Sequence, residues 1–310
     1  MRYLRVVFLA LFSLAALSAA TLTATYRYRL TALDSRLPES VGEARAALRS
    51  LMPQAALEDR TAMFRAFREF YIAAPQKTGM LFTPTVEPFS RDIMIWLNKS
   101  GDGSASGMAG LLQQRADIRK TLGRWLDCGF SIYAAEGDLY PGLAPATITE
   151  FAHYLPPDLE GYLWFRARED VETIVYDAGL WLSWEELRKT LTRWESAAQR
   201  YPNLDEAPLE VEPHIRWLAW LYFFGVSNTP SYDFKSGRID PELIDSWRRL
   251  AALDRGSRYR ELAGELVARV AAHGGRIEEA DSALFERYGF EKEFRNWWRS
   301  YRFRMDNPPR

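Results

Sequence analysis

The chain has 310 residues, of which 47% are hydrophobic, which is enough for one large core or two moderate ones. Its 40 basic and 41 acidic residues give a formal net charge of -1, so we expect no nucleic-acid partner. The 11 Trp, 15 Tyr and 17 Phe can provide stacking platforms for sugars, but such residues at helical spacing are more typical of cores and grooves.

The N-terminus has the composition of an export signal. Two arginines in "MRYLR" precede the apolar run "VVFLALFSLAA", and Ser18 and Ala20 form a small-residue site. The stretch from Val6 to Thr25 is also long enough to cross a bilayer. Residues 1–25 are therefore predicted to be a signal peptide or a membrane-anchor helix. We expect a periplasmic or cell-surface protein, held in the inner membrane through residues 6–25 if the segment is not cleaved.

Residues 26–127 are predicted to form an N-terminal helical region. Apolar side chains recur at helical spacing up to residue 74, and Pro75 is expected to end that helix. The following segment "LFTPTVEPF", residues 81–89, is predicted to be extended or a loop because of Pro84 and Pro88.

Cys128 is the only cysteine, so an internal disulfide is excluded. A nucleophilic role would require a histidine partner, and no pattern places His153, His214 or His273 beside it. We therefore expect a structural thiol.

Residues 128–290 are predicted to be a helical array. Ser183 and Asp240 are expected N-caps, and the run before Gly225 is apolar on nearly all sides, as in the central helix of a bundle. The predicted helices are Trp184–Arg200, Pro213–Phe224, Pro241–Leu253 and Arg258–Ala272.

Strand-like alternation is scarce along the whole chain. The predicted fold class is therefore all-α, an irregular helical array or bundle behind an N-terminal signal or membrane-anchor helix. Residues 291–310, which include "NWWRSYRFR", are predicted to form a basic aromatic tail.

No zinc-protease, nucleophile-elbow or P-loop motif occurs in the sequence, and we expect neither a metal nor a cofactor. Glu136 and Asp138, close to Tyr140, lie in an acidic turn that has the residue types of a glycan-hydrolysing acid and base. An acidic surface turn without a catalytic role is the preferred interpretation of the same residues.

A second polar turn, "SNTPSYD", follows the apolar run that ends before Gly225. Asn228, Thr229, Ser231 and Asp233 supply hydrogen-bonding groups for a ligand, although the same residues are common in turns and helix caps. Tyr140, Trp184 and Trp194 are further candidates for ligand binding.

Four segments in this order carry a resemblance that spans about residues 128–272, roughly half of the chain. They are "EGDLYPGLAP", "YLPPDLEGYL", "LSWEELRKTLTRWESAAQRYPN" and "YFFGVSNTPSYDFKSGRIDPELIDSWRRL". Their pattern resembles a helical domain of uncharacterised exported bacterial envelope proteins. The resemblance implies export and a helical fold, and it implies no activity.

Three functions are compatible with these features. The first is a non-catalytic envelope protein that binds a partner protein or a glycan through an aromatic-lined groove. The alternative is a hydrolase or lyase of cell-wall glycan that uses Glu136 and Asp138. The third is a membrane-tethered assembly subunit in which the C-terminal tail contacts a partner or lipid headgroups.

Overall fold

The computed structural model describes residues 22–100, 105–135, 138–170, 174–176 and 178–306. Helices make up most of these residues, and the strands among them form three two-stranded antiparallel hairpins. The predicted all-α class is therefore confirmed. Of the predicted signal or anchor segment, residues 1–21 lie outside the described residues. Residues 22–25 begin the first helix. Within the described residues, no helix has the length and apolarity needed to cross a membrane.

The chain packs into two compact units that meet in sequence at Glu172 and Thr173. The predicted division at 127/128 grouped residues 128–172 with the later helices, whereas the packing assigns them to the first unit. The first unit contains helices α1 (22–31), α2 (Pro38–Leu51), α3 (Leu57–Ser100), α4 (Ala105–Gln114), α5 (Ala116–Asp127), α6 (Pro145–Thr149) and α7 (Pro157–Glu169), and strands β1 (Phe130–Ala135) and β2 (Asp138–Leu143).

Helix α3 corrects the prediction for the proline-rich segment. It runs without interruption through Pro75, Pro84 and Pro88, which were expected to end the helix or hold an extended chain. A proline inside a helix costs about 3 kcal/mol, whereas each large apolar side chain that becomes buried contributes about 1.5–3 kcal/mol. Phe82 and Val86 lie between these prolines and are buried, and α3 buries further large side chains, which are Met63, Phe64, Phe67, Tyr71 and Ile93. Their combined burial outweighs the cost of the three prolines.

Strands β1 and β2 form a hairpin on either side of the predicted acidic turn, and Asp138 of that turn begins β2. The hairpin register pairs Phe130 with Leu143 and continues to the pair Ala135 and Asp138. The buried hydroxyl of Tyr71 on α3 donates to the Gly129 carbonyl and accepts the Ala144 N–H at 2.7 Å. Burial raises the pKa of this phenol to about 12. Tyr71 therefore fastens the open end of the hairpin, where β1 begins and β2 ends, to α3.

The second unit contains most of the predicted helical array, and all four predicted helices are confirmed to within a few residues. Its elements are β3 (Val175–Tyr176), β4 (Gly179–Leu180), α8 (Trp184–Arg200), α9 (Glu212–Phe224), β5 (Gly225–Val226), β6 (Thr229–Pro230), α10 (Pro241–Leu253), α11 (Arg260–Ala272), α12 (Ser282–Arg287) and α13 (Glu291–Asp306).

The predicted caps and the central helix are also confirmed. Ser183 forms a capping box with Glu186, and the Asp240 carboxylate accepts the Glu242 N–H at 2.8 Å. Phe223 on α9 is fully buried. Its ring contacts the rings of Trp247 on α10, of Tyr259 just before α11 and of Phe290 just before α13. Helix α9 therefore lies at the centre of the second unit.

Candidate functional site

A groove of about 470 Å³ lies in the second unit between the β5–β6 hairpin and helix α13. Its wall combines aromatic rings, small residues that leave the backbone accessible and a few polar side chains. This composition is expected of a ligand site. The lining residues are Ala178, Trp220, Phe224, Gly225, Val226, Ser227, Pro230, Tyr232, Glu293, Asn296, Trp297, Ser300 and Arg304.

One face of α13 forms the long wall of this groove. Glu293, Asn296, Trp297, Ser300 and Arg304 recur at spacings of three and four residues, so their side chains lie along one side of the helix. The helix rises through 11 residue steps from Glu293 to Arg304, which corresponds to a length of about 16 Å. The segment predicted to be a basic aromatic tail is therefore largely a helix that packs in the second unit and shapes the site.

The opposite wall is the hairpin at the start of the "GVSNTPSYD" segment. Gly225 ends α9 with a φ of 71°, a conformation that favours glycine. A Cβ at this position would stand 2.5 Å from the Thr229 carbonyl oxygen, so a larger residue cannot occupy it without a shift. Gly225 thus lets the chain reverse directly after the central helix.

Two predicted candidates in this turn, Asn228 and Thr229, hold it against the β3–β4 hairpin. The Asn228 backbone N–H donates to the Ala178 carbonyl at 2.8 Å, and the Thr229 hydroxyl accepts the Leu180 N–H at 3.0 Å. Ala178 has a φ of 53° and is the only non-glycine residue with positive φ in the described part of the chain. Such a conformation costs about 1–2 kcal/mol, so the contacts of this turn retain a strained residue in the groove wall.

Trp297 presents an aromatic ring to the groove and is held by a hydrogen bond and by two neighbouring rings. Its indole N–H donates at 3.1 Å to the hydroxyl of Ser231, which is fully buried. Its ring stacks on Tyr301 at 5.2 Å and lies at 90° to Tyr232 at 5.6 Å. The half-buried ring is therefore held in one orientation before any ligand binds.

The two ends of the α13 face carry opposite charges. At one end, Glu293 accepts from Arg216 at 3.0 Å. Burial raises the pKa of this carboxyl, but the hydrogen bond from Arg216, a backbone hydrogen bond and the nearby positive charges together outweigh burial, and the net pKa is lowered. At the other end, the Arg304 guanidinium lies 4.3 Å from the centre of the Phe234 ring, a cation–π contact that fixes the side chain and leaves its charge in place.

Asp233, a predicted ligand candidate, builds the loop that follows the hairpin. One carboxylate oxygen accepts the Ser236 N–H and hydroxyl, both at 2.7 Å, and the Lys235 N–H at 3.2 Å. These hydrogen bonds, led by that of the Ser236 N–H, lower the pKa of the carboxyl. The carboxylate is exposed, but its geometry is that of a turn.

Trp184 and Trp194 lie in the core and do not line the groove. The Trp184 indole donates to Asp240 at 3.0 Å and so links the start of α8 to the cap of α10. Trp194 is 1% exposed, and its ring lies 4.0 Å from that of His214. With their rings enclosed by core neighbours, neither offers surface to a ligand.

The remaining candidates belong to the first unit. Tyr140 lies on β2, is 37% exposed and pairs with Tyr133 in the hairpin register. Asp138 begins β2, and Glu136 lies outside the described residues. The interpretation of the last two as a catalytic acid and base therefore stays a prediction.

Cys128 is half-buried at the end of α5, next to Gly42. Burial and then the nearby Glu39 raise the pKa of its thiol, which reduces the thiolate fraction at neutral pH. These properties are typical of the expected structural thiol.

Sequence reasoning gave Ser231 only as one hydrogen-bonding group of the turn, and it did not include Trp297 or Arg304 among the predicted site residues. The hydrogen bond between the first two joins residues 66 positions apart, and no local pattern indicates it. The three- and four-residue spacing on α13 was visible, but a spacing alone does not show which helix face meets a groove.

Within the described residues, no cluster of three or more His, Cys, Asp or Glu side chains has the arrangement of a metal site. The chain matches no family model, no curated protein and no solved structure. The resemblance to exported envelope proteins therefore stays a prediction, and the groove geometry is the main basis for a function.

Proposed function

We propose that this chain is a non-catalytic binding protein of the bacterial cell envelope, exported or membrane-anchored, which holds an extended segment of a partner protein in the groove along α13. The observation that carries the proposal is the fixed ring of Trp297, which lines the groove and is locked by Ser231 and by two neighbouring tyrosines. A preorganised aromatic surface lowers the entropy cost of binding.

The dimensions of the groove support a peptide-like ligand. A wall of about 16 Å accommodates about four or five residues of extended chain at about 3.3 Å each. Asn296 and Ser300 are exposed on this wall and supply polar groups between the aromatic surfaces. Aromatic anchors flanked by polar groups are typical of protein-recognition sites.

The envelope location rests on the composition of residues 1–25. Fractionation of cells that express the full chain tests it. Release with the periplasmic fraction, or retention in carbonate-washed membranes, agrees with the proposal. Recovery of the intact, uncleaved chain in the cytosolic fraction would contradict it.

Site-specific photo-crosslinking tests the groove. A photoreactive phenylalanine is placed at position 300 in the groove or, as a matched control, at position 299, which is exposed and does not line the groove. In cells of the native host we expect a discrete crosslinked protein from position 300. We expect Trp297→Ala to remove it and Phe303→Ala, at an exposed position on the same helix, to leave it.

Equal crosslinking from positions 299 and 300 would show that contact with the groove is not specific. A crosslink that persists in Trp297→Ala would exclude the proposed anchoring role of this ring.

A further inference from the structure

A cluster of cations adjoins the Arg304 end of the groove. We call it the basic patch, and it consists of Lys235, Arg238, Arg276, Arg302 and Arg304. Loop 233–239 is docked on α13 by the Tyr301 hydroxyl, which donates to the Gly237 carbonyl at 2.9 Å.

Specific contacts place the four arginines of the basic patch, and Lys235 lies in the same loop as Arg238. Arg276 donates twice to the Ser236 carbonyl, at 2.9 and 3.2 Å, and Arg304 lies over Phe234. The stem of Arg238 passes over Gly275, where a Cβ would stand 3.3 Å from it. Arg276 and Arg302 are both close enough to Tyr301 to lower its pKa against the raising effect of burial.

No carboxylate of the described residues forms an ion pair with any member of the basic patch. The nearest acid in the loop, Asp233, accepts the Ser236 and Lys235 N–H groups, and its charge also attracts that of Lys235 without an ion-pair contact. Favourable interaction with the end of α13 accounts for one or two cations near its last turn. It does not account for cations contributed by a separate loop and by Arg276.

Arg304 belongs to both the groove and the basic patch, so the two surfaces are continuous. We propose that the groove recognises an acidic peptide segment of a partner protein, in which aromatic or apolar residues contact Trp297 and acidic residues follow toward the basic patch. This inference rests on the proposed function and adds the chemistry of the ligand.

The shape of the surface favours a peptide over a lipid bilayer. The aromatic residues at Trp297 and Tyr232 line a concave groove, whereas insertion into a bilayer requires apolar side chains that protrude. Phe303 does protrude, with 69% of its surface exposed, but it is not a groove residue. Complementary charge beside a peptide groove also accelerates association and aligns the ligand.

Fluorescence anisotropy with the full chain tests the inference. The probe is a labelled hexapeptide of two aromatic residues followed by four acidic ones, and its comparison has glutamine in place of every acid. We expect the acidic peptide to bind at least about tenfold more tightly at low ionic strength, and most of this difference to disappear at about 0.5 M salt.

Arginine variants locate the effect. Arg302→Gln and Arg304→Gln are each expected to weaken binding of the acidic peptide about two- to fivefold. Arg295→Gln is the matched control, because Arg295 is exposed on the same helix and already paired with Glu291. This control is expected to change affinity less than twofold.

The outcomes separate the inference from the function on which it rests. Equal affinity for the two peptides, with loss of both in Trp297→Ala, would overturn the acidic specificity and leave the groove function intact. Peptide binding that is unaffected by Trp297→Ala would overturn the proposed function. A third outcome is that the chain binds vesicles of acidic phospholipid in a way that excess acidic peptide does not inhibit. That result would overturn the assignment of a peptide ligand and would identify a lipid surface as the ligand.

Discussion

In the second unit, the arginines beside α8 are ion-paired, whereas those of the basic patch form no ion pair with a carboxylate of the described residues. Arg188 lies 2.8 Å from Glu185 and also pairs with Asp254, and Arg258 lies 2.6 Å from Glu212. Arg188 is 6% exposed, so its two carboxylate partners compensate for lost hydration. The members of the basic patch have hydrogen-bond and ring contacts but no such compensation.

The comparison separates charges that the fold requires from charges that it tolerates. A buried arginine without its partners would destabilise the unit, so the network beside α8 is part of the folding energy. Five cations at one surface repel one another and contribute nothing comparable to folding. We infer that the basic patch is kept for an external anion.

Removal of Arg188 is expected to have the largest effect. Arg188→Ala leaves Glu185 and Asp254 without their buried cation and is expected to lower the free energy of unfolding by about 3 kcal/mol. Urea denaturation of the full chain measures this change. Arg248→Ala, which removes an exposed pair with Asp245, is the control and should change stability by less than about 0.5 kcal/mol. Equal effects of the two substitutions would contradict the assignment.

Acid is expected to weaken the same network. The hydrogen bond from Arg188, and then other charges, hold the pKa of Glu185 at about 2, below its ordinary value of 4.5. Because the folded pKa is lowered, the stabilisation is complete above about pH 4.5 and is lost as the pH falls toward 2. With allowance for solvent screening we expect Glu185 to account for about 1–2 kcal/mol of this loss. The free energy of unfolding of Glu185→Gln, measured by denaturation at several pH values, should depend less steeply on pH over this range. A pH dependence equal to that of the wild type would exclude Glu185 as the cause.

Loss of the hydrogen bond to Trp297 is expected to have an intermediate effect. Ser231→Ala removes the acceptor of the indole N–H and should cost about 1 kcal/mol of stability. It should also weaken binding of the hexapeptides, because the ring is no longer held in one orientation. Ser196→Ala, at an exposed position of α8 outside the groove lining, is the comparison. If Ser231→Ala altered stability but left peptide affinity as in the wild type, preorganisation of Trp297 would not matter for binding.

Substitutions in the basic patch are expected to have the smallest effect on stability. Arg302→Gln should change the free energy of unfolding by less than about 0.5 kcal/mol, since no described carboxylate pairs with this side chain. A slight gain is compatible with reduced repulsion. Thermal denaturation at low ionic strength measures it, and a loss comparable to that of Arg188→Ala would remove the distinction between the two clusters.

The sequence predicted the parts of the fold that local patterns determine. Helix α8 was recognised because its apolar side chains recur at helical spacing behind the cap at Ser183. Helix α3 was missed because the preference against Pro84 and Pro88 is local, whereas the burial of Phe82 and Val86 depends on partners elsewhere in the unit.

The candidate site was only partly predictable for the same reason. The polar turn around Asn228 was identified, but its function in the structure is to retain Ala178 and to begin the groove wall. Trp297 and Arg304 acquire their positions only when α13 folds against loop 233–239, through contacts between residues distant in sequence. A one-dimensional pattern contains no information on that pairing.

Paired measurements on Arg304→Gln test the central claim most directly. The free energy of unfolding and the affinity for the acidic hexapeptide are measured on the same preparation of the full chain. The account predicts stability within about 0.5 kcal/mol of the wild type and affinity lower by about two- to fivefold. Reduced stability with unchanged affinity would contradict it, because Arg304 would then serve the fold and not a ligand.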